Sequence, residues 1–213
     1  MEHRMIPLFP LPLTVVDVDC AGVAEFFDST ILPTAGRKNT DGTSGYRTAL
    51  SHFHNDENVF EIYSELKDFG DRILEAANFA YRDVMNRDSV LRVTNAWFNL
   101  CEVGGRQYMH NHCNSVLSGT VYLRTDNQSY LQFQSPYHMN DFGNMLLDDP
   151  NTKRPNRFGY KHYFPTITFP VEQDTCVFWP SHLRHGYQEN RTPNRLSLSF
   201  NFLPETFNCV YKV

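Results

Sequence analysis

From Val59 to Val84 the apolar residues Ile62, Leu66, Phe69, Ile73, Ala76, Ala80 and Val84 recur at steps of four and three. That is the stripe of an amphipathic helix with one face on a core. After Asp88 the period falls to two. Short runs rich in Val, Phe, Tyr and Leu at 91–100, 106–112, 115–124, 129–135, 163–171, 174–179 and 195–203 read as strands, with 184–189 as a further one. Ahead of the helix, residues 6–20 (IPLFPLPLTVVDVDC) read as an extended segment docked on the domain. The stretch 33–51, rich in Gly, Thr and Asn, reads as a loop.

A helical N-terminal part followed by about eight short strands predicts a mainly β chain with N-terminal helices, an α+β arrangement built on a double-stranded β-helix, the jelly-roll or cupin-like barrel. The expected organisation is a single domain over 1–213. Residues 1–88 supply the extended segment, loop and supporting helix, and 89–213 the barrel core. The insert from Pro136 to Tyr160 is too long for a plain hairpin, and its length and position suggest a substrate lid carrying Tyr137, His138, Phe142, Arg154, Arg157 and Tyr160.

Two strands sort their side chains cleanly. In RLSLSFNF, Leu196, Leu198, Phe200 and Phe202 fall on one face and Arg195, Ser197, Ser199 and Asn201 on the other. In VLSGTVYLR, Leu117, Val121 and Leu123 oppose Ser118, Thr120, Tyr122 and Arg124. An antiparallel sheet can turn such a polar face to water. Yet His110 and His112 share the parity of Ser118, Thr120 and Tyr122, provided no turn intervenes at Cys113 or Asn114, and on that condition the polar faces line a barrel interior that binds something.

Residues two apart on a strand point the same way with Cα atoms roughly 6 to 7 Å apart, so both imidazoles can reach one metal ion. The pair alone is an ambiguous signal, because such dipeptides also arise by chance. A distal partner is available in DTCVFWPSHLRHGYQ, where His182 and His185 follow a strand ending at Pro180. One hairpin later comes Arg195, whose planar fork suits a carboxylate. Its structural alternative is an ion pair with an acid such as Glu189.

Composition narrows the partners. With 213 residues, 41% hydrophobic and 14% aromatic, the chain can bury a sizeable core. A net charge of −5 without a Lys/Arg run gives no expectation of nucleic acid or an anionic membrane as partner. A small-molecule or polypeptide substrate is the better expectation, with the oligomeric state unreadable. No apolar run spans a bilayer, and prolines break the start MEHRMIPLFPLPL before it could serve as a signal segment. Five scattered cysteines without CxxC spacing read as reduced thiols, and the expected location is cytoplasmic.

The stretches HNHCNSVLSGTVYL, LQFQSP and FWPSHLRHGYQENRTPNRLSLSFN, with LFPLPL and NAWFNL upstream, together resemble the 2-oxoglutarate/Fe(II)-dependent oxygenases, and more closely a family within them that reads HxH, a distal His and Arg-x-Ser. The resemblance implies a double-stranded β-helix with iron at the barrel mouth. It makes His110 the first ligand, His185 the distal one, and Arg195 and Ser197 the pair that holds the far carboxylate of 2-oxoglutarate. His182 falls off the pattern and reads as a turn residue, while Tyr122 and Asn99 are further candidate contacts to the cosubstrate. The wider superfamily places a carboxylate where this chain has His112. The third ligand is therefore either His112 or, if that ring turns away, water.

The activity so implied consumes Fe(II), 2-oxoglutarate and O2, releases succinate and CO2, and hydroxylates a substrate that the sequence does not identify. A cupin-type three-His dioxygenase, a zinc hydrolase and a non-catalytic jelly-roll binding module are the alternatives, and the Arg195-x-Ser197 pair tells against the first two.

Overall fold

In a computed structural model of the chain, residues 11–35, 49–126, 128–136 and 166–206 are described. In chain order the strands are β1 (Thr14–Asp17), β2 (Leu50–Phe53), β3 (Leu91–Cys101), β4 (Gln107–His110) and β5 (Leu117–Arg124). They continue as β6 (Tyr130–Gln134), β7 (Thr166–Pro170), β8 (Thr175–Pro180), β9 (His185–Tyr187) and β10 (Arg195–Pro204). All ladders among the described residues are antiparallel. The major sheet has the order β1-β8-β5-β10-β3-β2 and the minor one β4-β9-β6-β7. The predicted jelly roll is thereby present, and eight of its strands fall where the two-residue alternation puts them.

The remaining two strands come from the part read as support. β1 pairs with β8 and β2 with β3, so the N-terminal region completes both edges of the major sheet. The loop read over 33–51 therefore ends early, because Leu50 and Ser51 already pair with Cys101 and Leu100. Non-local pairing turns this short LSHF segment into a strand.

The helical layer also departs from the continuous stripe. A first helical segment runs through α1 (Val23–Phe26) and α2 (Leu32–Ala35), joined by a π-helical turn. The predicted 59–84 helix divides into α3 (Val59–Ile62) and α4 (Lys67–Phe79), with a 3-10 turn between them and a π-helical turn over Ala80–Val84. Asn58 caps α3 by accepting the Phe60 N–H, and Tyr63 adopts an extended backbone that breaks the helix. The break rotates the first turn out of phase. Leu66, Phe69, Ile73 and Ala80 are buried as expected, but Ile62 and Val84 are 45% and 40% exposed.

The oily faces of the strands turn toward this helical layer rather than into the barrel. Leu196, Leu198, Phe200 and Phe202 of β10, Leu117, Val121 and Leu123 of β5, and Phe98 of β3 share one core with Phe27, Ile31, Phe69 and Ile73. The opposite faces look toward the minor sheet, where Tyr122, Leu131, Phe133, Val177 and Trp179 make a smaller apolar cluster. What remains between the sheets is polar.

Candidate metal centre

His110 ends β4 and lies directly opposite His185 of β9 in the antiparallel register. A cross-strand pair thus brings together two histidines far apart in the chain. His112 is not on the strand, since β4 stops at His110 and a turn intervenes before β5. The parity condition set by the sequence is not met, yet the ring still converges. The His112 backbone N–H donates to the Ser181 carbonyl at 3.0 Å, which holds the turn against the end of β8.

The three imidazoles present ligand atoms within 4.8 Å of one another. Ring centroids lie 4.3 Å (His110–His185), 5.1 Å (His112–His185) and 5.2 Å (His110–His112) apart. Each Nδ1 already has an oxygen partner: the Tyr108 carbonyl for His110 at 2.9 Å, the Leu183 carbonyl for His185 at 3.0 Å, and Asn201 Oδ1 for His112 at 2.5 Å. A carbonyl oxygen only accepts, so Nδ1 carries the proton and Nε2 keeps its lone pair. That leaves Nε2 of each ring as the atom free to bind. Burial lowers the pKa of all three rings, and for His110 and His185 the charge of the neighbouring histidines lowers it further. Neutral imidazoles are the state a divalent metal requires, and such donors suit iron as well as zinc, nickel and copper.

Behind the histidines a narrow cavity of about 30 Å³ lies between the sheets. Arg195, Ser197, Tyr122 and Asn99, the four residues expected to meet a cosubstrate, all line it. Their proximity follows from register, because Ser197 of β10 pairs with Tyr122 of β5 on one side and Asn99 of β3 on the other. Asn99 is partly committed, with its carbonyl 2.6 Å from His52 Nδ1 and its amide donating to Ser199 at 2.9 Å.

Arg195 is 4% exposed. Its guanidinium lies over the rings of Tyr187 and Tyr122, and one terminal nitrogen approaches the Tyr130 carbonyl at 3.5 Å. Its Nε is buried without a partner, and no carboxylate pairs with it among the described residues. Glu189 instead meets Arg191 at the surface. A buried cation without a counter-charge is costly, so this cavity fits an anion. Burial also raises the pKa of Tyr122 and Tyr187, so both phenols stay protonated and neither neutralises the guanidinium.

Sequence reasoning did not single out several residues of the site. Trp179 lines the cavity 4.6 Å from the His185 ring, and its indole N–H is buried without a partner. Trp97 packs 5.8 Å from His112. Tyr187 stands two residues after His185 on the same strand, a spacing that does place both on one face. His182, read as a turn residue, is exposed and stands apart from the cluster.

On the outer side His110 and His112 open onto a cleft of about 380 Å³ lined also by Leu50, His52, Asn55, Arg106 and Tyr108. This cleft, not the inner cavity, has room for a substrate. The insert assigned to a lid, with Tyr137, His138, Phe142, Arg154, Arg157 and Tyr160, lies outside the described residues.

Several solved structures share the fold. The epimerase SnoN in complex with Fe3+, alpha ketoglutarate and nogalamycin RO is 16% identical, with 92% of this chain and 80% of that one covered and a TM-score of 0.63. HygX from Streptomyces hygroscopicus with nickel, 2-oxoglutarate and hygromycin B is 14% identical, covering 93% and 85% at a TM-score of 0.56. OsALKBH1 is 12% identical, covering 92% of this chain and all of that one at 0.54. No curated protein sequence matches significantly. Residues 95–201, half of the chain, match the family described as "Putative 2OG-Fe(II) oxygenase". That match runs from β3 to β10 and takes in all three histidines together with Arg195 and Ser197, and the chain belongs to this family of 2-oxoglutarate- and Fe(II)-dependent oxygenases.

Proposed function

We propose that this oxygenase hydroxylates a C–H bond of a small-molecule substrate seated in the outer cleft, with Fe(II) on His110, His112 and His185 and the far carboxylate of 2-oxoglutarate on Arg195 and Ser197. The enzyme is a 2-oxoglutarate- and Fe(II)-dependent dioxygenase. When bound, iron, 2-oxoglutarate and O2 supply the oxidising chemistry, in which the cosubstrate is decarboxylated to succinate and CO2 and one oxygen atom passes to the substrate.

The chain's own residues bind, orient and shield. Nδ1–H bonds to fixed oxygens keep the three rings in the tautomer that leaves Nε2 free. Arg195 offers a planar donor set in a buried cavity, where a charge-assisted contact is strong. Ser197 adds a hydroxyl, Tyr122 stiffens the guanidinium from below, and Asn99 retains an amide proton for the cosubstrate. Trp179, Leu131 and Tyr187 wall off water.

One observation carries this reading: three histidines with lone pairs to offer cluster beside a buried guanidinium that has no salt-bridge partner among the described residues. Small-molecule substrates are supported by SnoN and HygX, which were crystallised with nogalamycin RO and hygromycin B. A cytoplasmic location is supported by the unpaired thiols of Cys20, Cys101, Cys113 and Cys176. No described helix is long and apolar enough to cross a membrane.

The test is anaerobic titration with Fe(II), followed by 2-oxoglutarate turnover under O2. Wild type is expected to bind one iron and form succinate, and His185→Ala to lose both. Stoichiometric iron in His185→Ala would overturn the ligand set. Hydroxylation itself is read from a product heavier by one oxygen atom once a substrate is found, and an isomerised or cyclised product of unchanged oxygen content would replace that part of the reading.

A further inference from the structure

Two of the three histidines owe their orientation to the main chain. The carbonyls of Tyr108 and Leu183 hold Nδ1 of His110 and His185, and no side-chain substitution removes either acceptor. His112 is different: its Nδ1 faces the side-chain oxygen of Asn201 at 2.5 Å and Ser118 Oγ at 3.2 Å. We propose that Asn201 is the positioning residue of the metal centre, its amide carbonyl fixing His112 in the Nδ1–H form so that Nε2 is the atom presented to the metal. This inference rests on His112 being a ligand.

Three observations carry it. First, the amide is oriented by a hydroxyl chain. Ser115 donates to Ser181 at 2.7 Å, Ser181 lies 2.8 Å from Ser118, and Ser118 donates to Asn201 Oδ1 at 2.8 Å. Each hydroxyl can pass its proton along this chain toward that atom, an arrangement that an oxygen there completes. Second, the backbone aims the side chain. The β10–β3 register shifts between Asn201 and Phe202, with Asn201 opposite Asn95 and Phe202 opposite Val93, and the skipped Thr94 donates its hydroxyl to the Asn201 carbonyl at 3.2 Å. A bulge of this kind re-aims a side chain beside a site. Third, His112 is clamped by the same group, because its N–H reaches the carbonyl of Ser181.

The alternative orientation is informative. With the amide reversed, its NH2 would donate to Nδ1, the imidazole proton would move to Nε2, and an N–H would project at the other two lone pairs. Such a ring cannot bind a metal. The state of one amide thus separates a metal-ready centre from a closed one.

The experiment needs no turnover. In metal-free, 15N-labelled protein, long-range 1H–15N correlation of the imidazoles should find His112 in the Nδ1–H tautomer. In Asn201→Leu a mixture or the Nε2–H form is expected, and calorimetry with Ni(II) should show affinity weakened roughly 10- to 100-fold. Asn201→Asp, which keeps an acceptor, should recover affinity to within a few-fold. If Asn201→Leu fails to fold, Ser118→Ala replaces it, with the same tautomer mixture expected. Finding Nε2–H in wild type, or wild-type Ni(II) affinity in a folded Asn201→Leu, overturns the assignment. His185→Ala keeps the two levels apart: retained Ni(II) there defeats the three-histidine reading itself, whereas its loss alongside an indifferent Asn201→Leu defeats only the role of Asn201.

Discussion

The guanidinium carbon of Arg195 lies 4.4 Å from the centroid of the Tyr187 ring. The contact joins β10 of the major sheet to β9 of the minor one, so a residue two positions after a candidate metal ligand steadies the candidate anchor of the cosubstrate. A cation over an aromatic face in a desolvated site contributes about 0.5 to 2 kcal/mol. Tyr187→Phe keeps the ring and should leave 2-oxoglutarate affinity near wild type. Tyr187→Leu should weaken it by roughly 2- to 30-fold with iron binding preserved. Equal losses in Phe and Leu would assign the effect to the hydroxyl instead. In an Arg195→Ala background Tyr187→Leu should add nothing, which a double-mutant cycle reads directly.

Arg195 itself is the sharper target. Removing a charge-assisted, two-pronged contact from a buried cavity should cost roughly 2 to 5 kcal/mol, or some 30-fold to several thousand-fold in 2-oxoglutarate affinity. Arg195→Lys should recover only part, since an ammonium lacks the planar fork. Iron affinity should survive, because the guanidinium is no ligand. Arg82→Ala, an exposed residue on the helical layer, serves as control. Unchanged affinity in Arg195→Ala would remove the anchor assignment.

Much of the fold and of the candidate site's placement was legible in the chain because one physical rule governs both. In β10 the residues Leu196, Leu198, Phe200 and Phe202 meet the helices, which turns Arg195, Ser197 and Ser199 to the cavity between the sheets and Asn201 to the outer cleft. What failed were features set by distant partners. β2 exists because β3 offers an edge to Leu50–Phe53, and four residues among Gly, Thr and Asn carry too little pattern to announce it. The helix break at Tyr63 is likewise invisible, since Ile62 and Leu66 keep the right spacing on either side. Nothing in the sequence separates Tyr187 and Trp179 from ordinary core aromatics, and only the facing sheet turns them into cavity walls.

Acid should unsettle the metal-free protein through the same histidines. Burial holds His52, His110, His112 and His185 below the ordinary imidazole range, and in the unfolded chain each titrates near 6.5. Between their folded values and about 6.5 the unfolded state therefore binds more protons, so stability is full above that pH and falls as pH drops through the window. The thermal midpoint of metal-free wild type should decline from about pH 7 to about pH 5 more steeply than that of a His110→Ala/His185→Ala variant. Parallel profiles in the two proteins would show that these rings are not held neutral by the fold. Saturating Ni(II) should widen the difference, because protons and metal compete for the same Nε2 atoms.

The last prediction separates damage to the barrel from damage to the centre, using two glycines that each lack room for a side chain. At Gly119 of β5 an added Cβ would fall 2.5 Å from Phe200, 2.7 Å from Phe178 and 2.9 Å from the Val177 carbonyl of β8, on the helix-facing side of the major sheet. At Gly186 of β9 it would fall 2.6 Å from the Gln107 carbonyl and 2.9 Å from the Tyr108 carbonyl. The second is the oxygen that accepts the Nδ1 proton of His110. At Gly186 every close contact is main chain of β4 itself, the strand that carries His110, so Gly186→Ala must push β4 away from β9, separating His110 from His185 and disturbing the tautomer of His110. Gly119→Ala should cost about 1 to 3 kcal/mol of stability through overpacking and leave Ni(II) affinity within a few-fold of wild type. Gly186→Ala should weaken Ni(II) binding by roughly tenfold or more while the major sheet and its thermal midpoint change less. Calorimetric titration and thermal unfolding of both variants check the contrast, and full metal affinity in Gly186→Ala would mean that the β4–β9 ladder does not set the spacing of the centre.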